Sequence, residues 1–417
     1  MPSLLRTPRP VALDLTPVEV AARCGHLPGL VFFDSARETG EHDELSIVAA
    51  CPTEIVCGDI RTGWCGLQSA LDARATAALV DDGLPHGFAA GCVDYDGAFC
   101  FGLYEDALIF RHSDQSWHEV GDLRSRLREP EPAAPTGGPQ FSASLGSEEF
   151  CAMVRRAQEY IAAGDIYQVN LAHRFDAPWS GDPFTFYEAL RHYSPAPYAA
   201  FLDLGGRCVL SSSPESFLKM SGRAVRTRPI KGTRPRRAES TADEKSAYDL
   251  ITSPKEVAEL VMITDLERND LGQVCEFGSV SVTELLKLER HEQVFHLVST
   301  IDGRLRPEID HLAALRACFP GGSITGAPKR RARQIIAELE PASRGLYTGA
   351  IGWLGFNGES QFNIAIRTVV IEGDRAHFHV GAGIVADSVP EREWQETLDK
   401  AAGILLAAER MGMTNEE

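Results

Sequence analysis

Two acidic pairs and one lysine are the residues of this 417-residue chain whose type and spacing could do chemistry. Glu256 and Glu259 lie three apart in "SPKEVAELVMITDLERNDLG", and Glu393 and Glu396 repeat the spacing in "ADSVPEREWQETLDKAAGILL". Residues three apart share a helical face. If both segments are helices that meet, four carboxylates could serve one hard cation such as Mg2+, which takes oxygen ligands and keeps several waters. Each pair alone is usually a solvated acidic face, and on spacing alone two unrelated surface faces remain the favoured reading. Lys231 sits in "RTRPIKGTRPR", sixteen residues after Glu215 in "SSSPESF". On neighbouring strands such an acid and amine could act as proton shuttle and nucleophile. At the surface they would form an ion pair worth at most about 1 kcal/mol. His296 in "FHLVST" is a further interior-looking titratable group, a setting in which histidine is commonly a plain core residue. The turn "GGSITGAPK" precedes a long amphipathic stretch. A Gly-rich turn feeding a helix offers free N–H groups to an anion. Ala-Pro-Lys replaces the Lys-Ser/Thr of a phosphate loop, so a carboxylate fits it at least as well.

The elements that must position these groups are partly readable. Ser253 with Pro254 predicts a helix start, with Val257, Leu260 and Val261 turned to a core. Ser388 and Glu391 predict a capping box with Pro390 in the first turn, and Lys400 follows Glu396 one turn later. A helix is predicted over 147–165, capped by Ser147 and ending near Gly164. "GLVFFDSA", "LSIVAACP", "GFAAGCVDYD", "DALIFRHS", "YAAFLDL", "RCVLSSS", "YTGAIGWLGF" and "HFHVGAGIVA" have the β-branched and aromatic content of strands. Strands and helices do not alternate regularly, which favours an α+β fold over a doubly wound parallel sheet. The Pro- and Gly-rich stretch 128–140 divides a strand-rich region, 1–127, from a mixed region, 141–417.

Lys plus Arg is 41 and Asp plus Glu is 59, giving a net charge of −18. That argues against a general nucleic-acid binder but allows a local basic pocket for an anionic small substrate. Ten cysteines at spacings that suggest neither zinc site nor disulfide framework read as reduced, mostly buried thiols. The N-terminus lacks a signal-peptide pattern and no apolar run approaches membrane-spanning length, so a cytoplasmic, membrane-free protein is expected.

"GDIYQVNL", "SSSPESF", "RPIKGTRPR", "VMITDLERNDLG", "GGSITGAPK", "IAIRT" and "GAGIVADSVPEREWQET" together resemble the chorismate-utilising enzymes. That family includes anthranilate synthase, isochorismate and salicylate synthases, and aminodeoxychorismate synthase component I. The resemblance runs from about residue 145 to the C-terminus. It implies two large packed antiparallel β-sheets flanked by helices, with the active site between them. It implies a Mg2+ held directly by Glu259 and Glu396, and through waters by Glu256 and Glu393. Arg367 and Tyr347 would hold the enolpyruvyl carboxylate of chorismate; Thr325, Gly326, Gly383 and Lys400 would complete the substrate pocket. Lys231 stands where the anthranilate and isochorismate branches usually carry alanine, and so resembles the aminodeoxychorismate branch. There the lysine adds to ring C2, ammonia aminates C4, Glu215 shuttles the proton and His296 assists. Two departures, Ser216 where a basic residue is common and Ala172 where serine is common, touch none of these positions. No amidotransferase signature is evident, so ammonia is expected from free solution or from a separate subunit, and the resemblance implies a glutamine amidotransferase partner. Rival readings are an anthranilate synthase component I, an isochorismate synthase, and a catalytically silent chorismate-binding subunit.

Overall fold

In the strand Tyr198–Leu204, Ala199 and Phe201 enter one apolar cluster while Ala200 and Leu202 enter another. Successive strand side chains point to opposite faces, so a strand apolar on both faces needs cover on both. The same division sends Phe32 and Val48 one way, and Val31, Phe33 and Ile47 the other. The computed structural model describes residues 7–35, 45–76, 82–131, 137–237, 239–290 and 294–411. It meets that requirement with two antiparallel sheets, of twelve and ten strands among the described residues, packed face to face. The cluster built on Phe88, Ile109, Leu202 and Trp353 fills the space between them. Helices Pro183–Tyr193 and Pro390–Arg410 cover the outer face of the larger sheet through Phe186, Leu190, Ile404 and Ala407. Helices Cys65–Asp72 and His311–Cys318 cover the smaller one through Leu67, Leu312 and Leu315. This is the α+β architecture of two packed sheets flanked by helices that the sequence led us to expect.

Strands on either side of the Pro-rich stretch share both sheets. Val31–Asp34 pairs with Tyr198–Leu204 in the larger sheet, and Phe88–Val93 with Ala350–Gly355 in the smaller. Of the 128–140 segment, residues 132–136 lie outside the described residues. None of the helices among the described residues is long and apolar enough to cross a membrane.

Four local expectations are corrected. Cys57 and Cys100 are joined as a disulfide, because the pairing of Glu54–Asp59 with Ala98–Tyr104 sets them directly opposite each other; spacing along the chain does not reveal that register. Helix Ser147–Ala162 is capped by Gly146, whose N–H donates to Glu149 at 2.8 Å, so Ser147 is already inside it. Ser388 accepts from Val385 N at 3.1 Å and closes the preceding turn, which leaves Val389 as the cap of Pro390–Arg410, with no side-chain bond. Val261 is 44% exposed; Leu260 alone of the three expected core positions is fully buried, with Val257 partly so.

Candidate active site

Lys231 owes its direction to a bulge. Strand Ile230–Pro235 pairs with Val294–Arg304 so that Lys231 faces Leu297 and Thr233 faces His296, two steps on one strand against one on the other. The extra residue is Gly232 at φ +69°, where a Cβ would lie 2.5 Å from Leu250 Cδ1. Only glycine suits that left-handed position. Lys231 and Thr233 therefore both line one cleft of about 720 Å3, with His296 beside them. Lys231 Nζ donates to the Ser323 carbonyl at 3.2 Å, and Thr233 Oγ1 lies 3.0 Å from His296 Nδ1. Glu215 is buried in the junction between strands Arg207–Ser213 and Ser216–Ser221. Burial pushes its carboxyl upward, against the pull of Lys231, the Ser323 hydroxyl, the Ile230 amide and Lys400. A carboxyl so placed is equipped to carry a proton beside an amine.

Both acidic pairs are helical, and the helices meet across this cleft. Ser253 caps Pro254–Gly272 by accepting from Glu256 N. Lys255 on this helix reaches Glu393 on Pro390–Arg410, Nζ to Oε1 3.2 Å. Burial raises the Glu259 carboxyl, with Lys231 and Lys255 opposing. Glu396 is held below its ordinary value: burial works against the charge, but Lys400 donates to Oε1 at 2.8 Å and outweighs it. Glu256 faces Arg234 at 3.7 Å. Glu259 Oε1 and Glu393 Oε2 are buried without a hydrogen-bond partner. No described group of three or more acidic, His or Cys side chains forms a ready-made metal cage. Orphaned carboxylate oxygens from two helices fit a hard cation that takes few protein ligands and completes its shell with water and substrate oxygens.

Cationic and hydroxyl groups share the cleft with these carboxylates. Arg367, Tyr347, Gly383 and Lys400 all line the cleft. Arg367 holds a left-handed φ of 48° with its carbonyl accepting from Ser212 N, and Lys400 Nζ also donates to Gly381 O at 2.9 Å. A Cβ on Gly383 would lie 2.6 Å from Gln168 Nε2, so glycine makes room there for that amide, with Glu259 Oε2 3.9 Å from the same point. Behind the cleft residues Asn170 and Ile324, buried Arg344 donates to Glu340, Ile324 O, Thr348 Oγ1 and Asn170 O.

The amino-acid pattern over residues 82–406 matches the family model for chorismate binding enzyme. The chain belongs to the chorismate-binding enzyme family. Its relatives include anthranilate synthase component 1 of Thermus thermophilus, 46% identical over 68% of this chain, and aminodeoxychorismate synthase component 1 of Bacillus subtilis, 43% identical over 71%. The matches span 62% of each relative's own length. Anthranilate synthase component I from Streptococcus pneumoniae superposes with a TM-score of 0.77 at 31% identity, covering 87% of this chain and 92% of that one. The menaquinone-specific isochorismate synthase of Escherichia coli shares the fold, with a TM-score of 0.78 at 20% identity over 96% of this chain and 93% of that one.

Within this chorismate-binding enzyme, Lys231, Glu215, His296, Tyr347, Arg367, Gly383, Lys400, Glu256, Glu259 and Glu396 share the cleft. Thr325, Gly326 and Glu393 stand outside its lining. The Thr325 hydroxyl is spent on Gly321 O at 3.0 Å. Gly326 serves close packing, since a Cβ there would lie 2.2 Å from Gln168 O. Glu393 is buried behind Lys255. The sequence reading missed Asn170, Ser323, Lys255, His379 and Gly381, which also line the cleft. All five lie inside segments quoted above: Ser323 in the Gly-rich turn and Lys255 beside Glu256 on its helix; what brings Asn170, His379 and Gly381 together is the pairing of Gln168–Pro178 with Arg375–Ile384.

Proposed function

We propose that this chain is an aminodeoxychorismate synthase component I, converting chorismate and ammonia to 4-amino-4-deoxychorismate. The observation that carries this reading is Lys231: the bulge at Gly232 turns its amine into the cleft, beside a buried Glu215 whose carboxyl holds its proton more tightly than usual. In the proposed reaction the neutral Nζ bonds to ring C2, the two conjugated ring double bonds each shift by one position, and the C4–O bond breaks. Glu215 gives its proton to the departing hydroxyl, which leaves as water. Ammonia then bonds to C4, both double bonds shift back, and the C2–N bond breaks to free Lys231. Glu215 takes a proton from the new C4 ammonium and is ready again. Arg367 and Tyr347 would hold the enolpyruvyl carboxylate, the former bidentately, and Lys400 would face the ring carboxylate. His296, bonded to Thr233, flanks the amine.

Glu259 and Glu396 would hold a Mg2+ directly, and Glu256 and Glu393 through waters. When bound, that ion draws charge out of the ring through its carboxylate. The relatives' names as component 1 support a second subunit, a glutamine amidotransferase that supplies ammonia, acting with this chain in the cytoplasm on the route to 4-aminobenzoate and folate. The relatives are named for both anthranilate and aminodeoxychorismate synthases, and Lys231 supports the C4 reading, since an amine bonded to C2 blocks amination there. The test is incubation with chorismate, Mg2+ and ammonium, followed by mass-resolved chromatography, for wild type and Lys231→Ala. A 4-amino product lost or redirected in the variant is expected. Anthranilate with pyruvate from the wild type, or unchanged 4-amino product from the variant, would refute the reading.

A further inference from the structure

Asn170 sits in strand Gln168–Pro178, opposite Gly383 in the register with Arg375–Ile384. Its main chain is fully committed: the N–H donates to Thr325 O at 2.9 Å and the carbonyl accepts from Arg344 Nη2 at 2.7 Å. The side chain is different. The residue is 8% exposed, it lines the cleft, and Nδ2 is buried with no well-formed hydrogen bond. The Tyr347 phenol is close enough to interact with it as a hydrogen-bonding side chain. A Cβ built on Gly381 would lie 2.8 Å from Tyr347 Oη and 3.1 Å from Asn170 Nδ2. Both atoms therefore point into the gap that the missing side chain of Gly381 leaves. The carbonyl of Gly381 is already used by Lys400, so three donor groups converge there. An amide NH2 has two hydrogens to place; one can serve the phenol oxygen, and the other is available to a ligand in the cleft.

We propose that Asn170 is a substrate-binding residue that donates through Nδ2 to a carboxylate oxygen of bound chorismate, sharing that oxygen's surroundings with Tyr347. The geometry suits it: the backbone on either side is pinned by Thr325 and Arg344, so the amide is presented on a rigid strand. The inference rests on chorismate being the ligand, and not on which ring carbon is aminated.

The experiment is isothermal titration calorimetry of the full chain with chorismate, ammonium omitted, for wild type, Asn170→Asp and Asn170→Leu, with circular dichroism melts alongside. Asn170→Asp keeps the shape and replaces the donor by an acceptor; Asn170→Leu removes both. Loss of one hydrogen bond to a charged oxygen is expected to raise Kd about tenfold in Asn170→Leu, and more in Asn170→Asp, where a carboxylate would face a carboxylate. In steady state, KM should rise while kcat stays within about threefold, because the contact is made to ground and transition states alike. A purely structural asparagine would instead lower the melting temperature and leave Kd unchanged. Kd within twofold of wild type in both variants would overturn the assignment. If Asn170→Leu fails to fold, the near-isosteric Asn170→Asp decides alone. An amination product at C2 would overturn the function proposed above and leave this binding measurement unaffected.

Discussion

Arg344→Met is the sharpest test of how the substrate wall is held. The guanidinium is 3% exposed and makes five hydrogen bonds: Nε and Nη2 to Glu340 at 2.9 and 2.6 Å, Nη1 to Ile324 O and Thr348 Oγ1 at 3.1 Å each, and Nη2 to Asn170 O at 2.7 Å. Methionine fills a similar volume and makes none of them. Glu340, itself buried, would lose its counter-charge and keep only the Ala172 amide at 2.8 Å. Breaking a buried pair from one side costs about 3–5 kcal/mol, against a total stability of roughly 5–15 kcal/mol. Chemical denaturation should therefore show a midpoint far below wild type, and chorismate affinity should fall because Ile324 and Asn170 lose their common anchor. The double variant Arg344→Met/Glu340→Gln removes the stranded charge, so it should recover part of the loss. Two results would refute the reasoning: a single variant within about 1 kcal/mol of wild type, or a double variant no better than the single.

Glu267, which accepts from Gly322 N at 2.7 Å, has its carboxyl pushed up to about 7, chiefly by burial. A carboxyl raised on folding stabilises below its ordinary value of 4.5 and loses that contribution as pH climbs through about 7. Unfolding free energy of the wild type should thus fall relative to Glu267→Gln between roughly pH 5 and 8; a constant difference across that window would contradict this. Gly326→Ala should destabilise by at least about 2 kcal/mol, read by thermal melting, since φ is +136° and the new Cβ would lie 2.2 Å from Gln168 O. Glu396→Gln should raise the Mg2+ concentration giving half-maximal activity about ten- to a hundredfold, while Asp399→Asn on the same helix should leave it unchanged.

How much of this was legible in the amino-acid order depended on distance along the chain. The acidic pairs were readable because helical period alone places residues three apart together. Strands such as Tyr198–Leu204 and Phe88–Val93 were readable from their apolar runs. What stayed hidden is set by register between remote segments. Cys57 meets Cys100 only through one strand pairing, and Asn170 meets Tyr347 only because Gly381 leaves a gap between them. Arg344 ties together segments as far apart as 170 and 324. Val261 failed for a different reason: the helix face opposite the acidic pair is only partly covered, so an apolar residue there remains in solvent. Ser388 satisfied the capping pattern, but its hydroxyl found a closer backbone donor in the preceding turn.

The interleaving of strands from both sides of residues 128–140 bears on how the chain could be divided. A fragment beginning at 137 would bare the backbone edge of Tyr198–Leu204 in one sheet and of Ala350–Gly355 in the other, where Val31–Asp34 and Phe88–Val93 now bond. Such unpaired edges invite association, so the catalytic segment by itself should precipitate or recruit foreign strands. Supplied with residues 1–131 as a separate polypeptide, the two edges have their native complements back. The enzyme is in this sense a natural candidate for reconstitution from two halves, with chorismate turnover as the signal that both sheets have been rejoined.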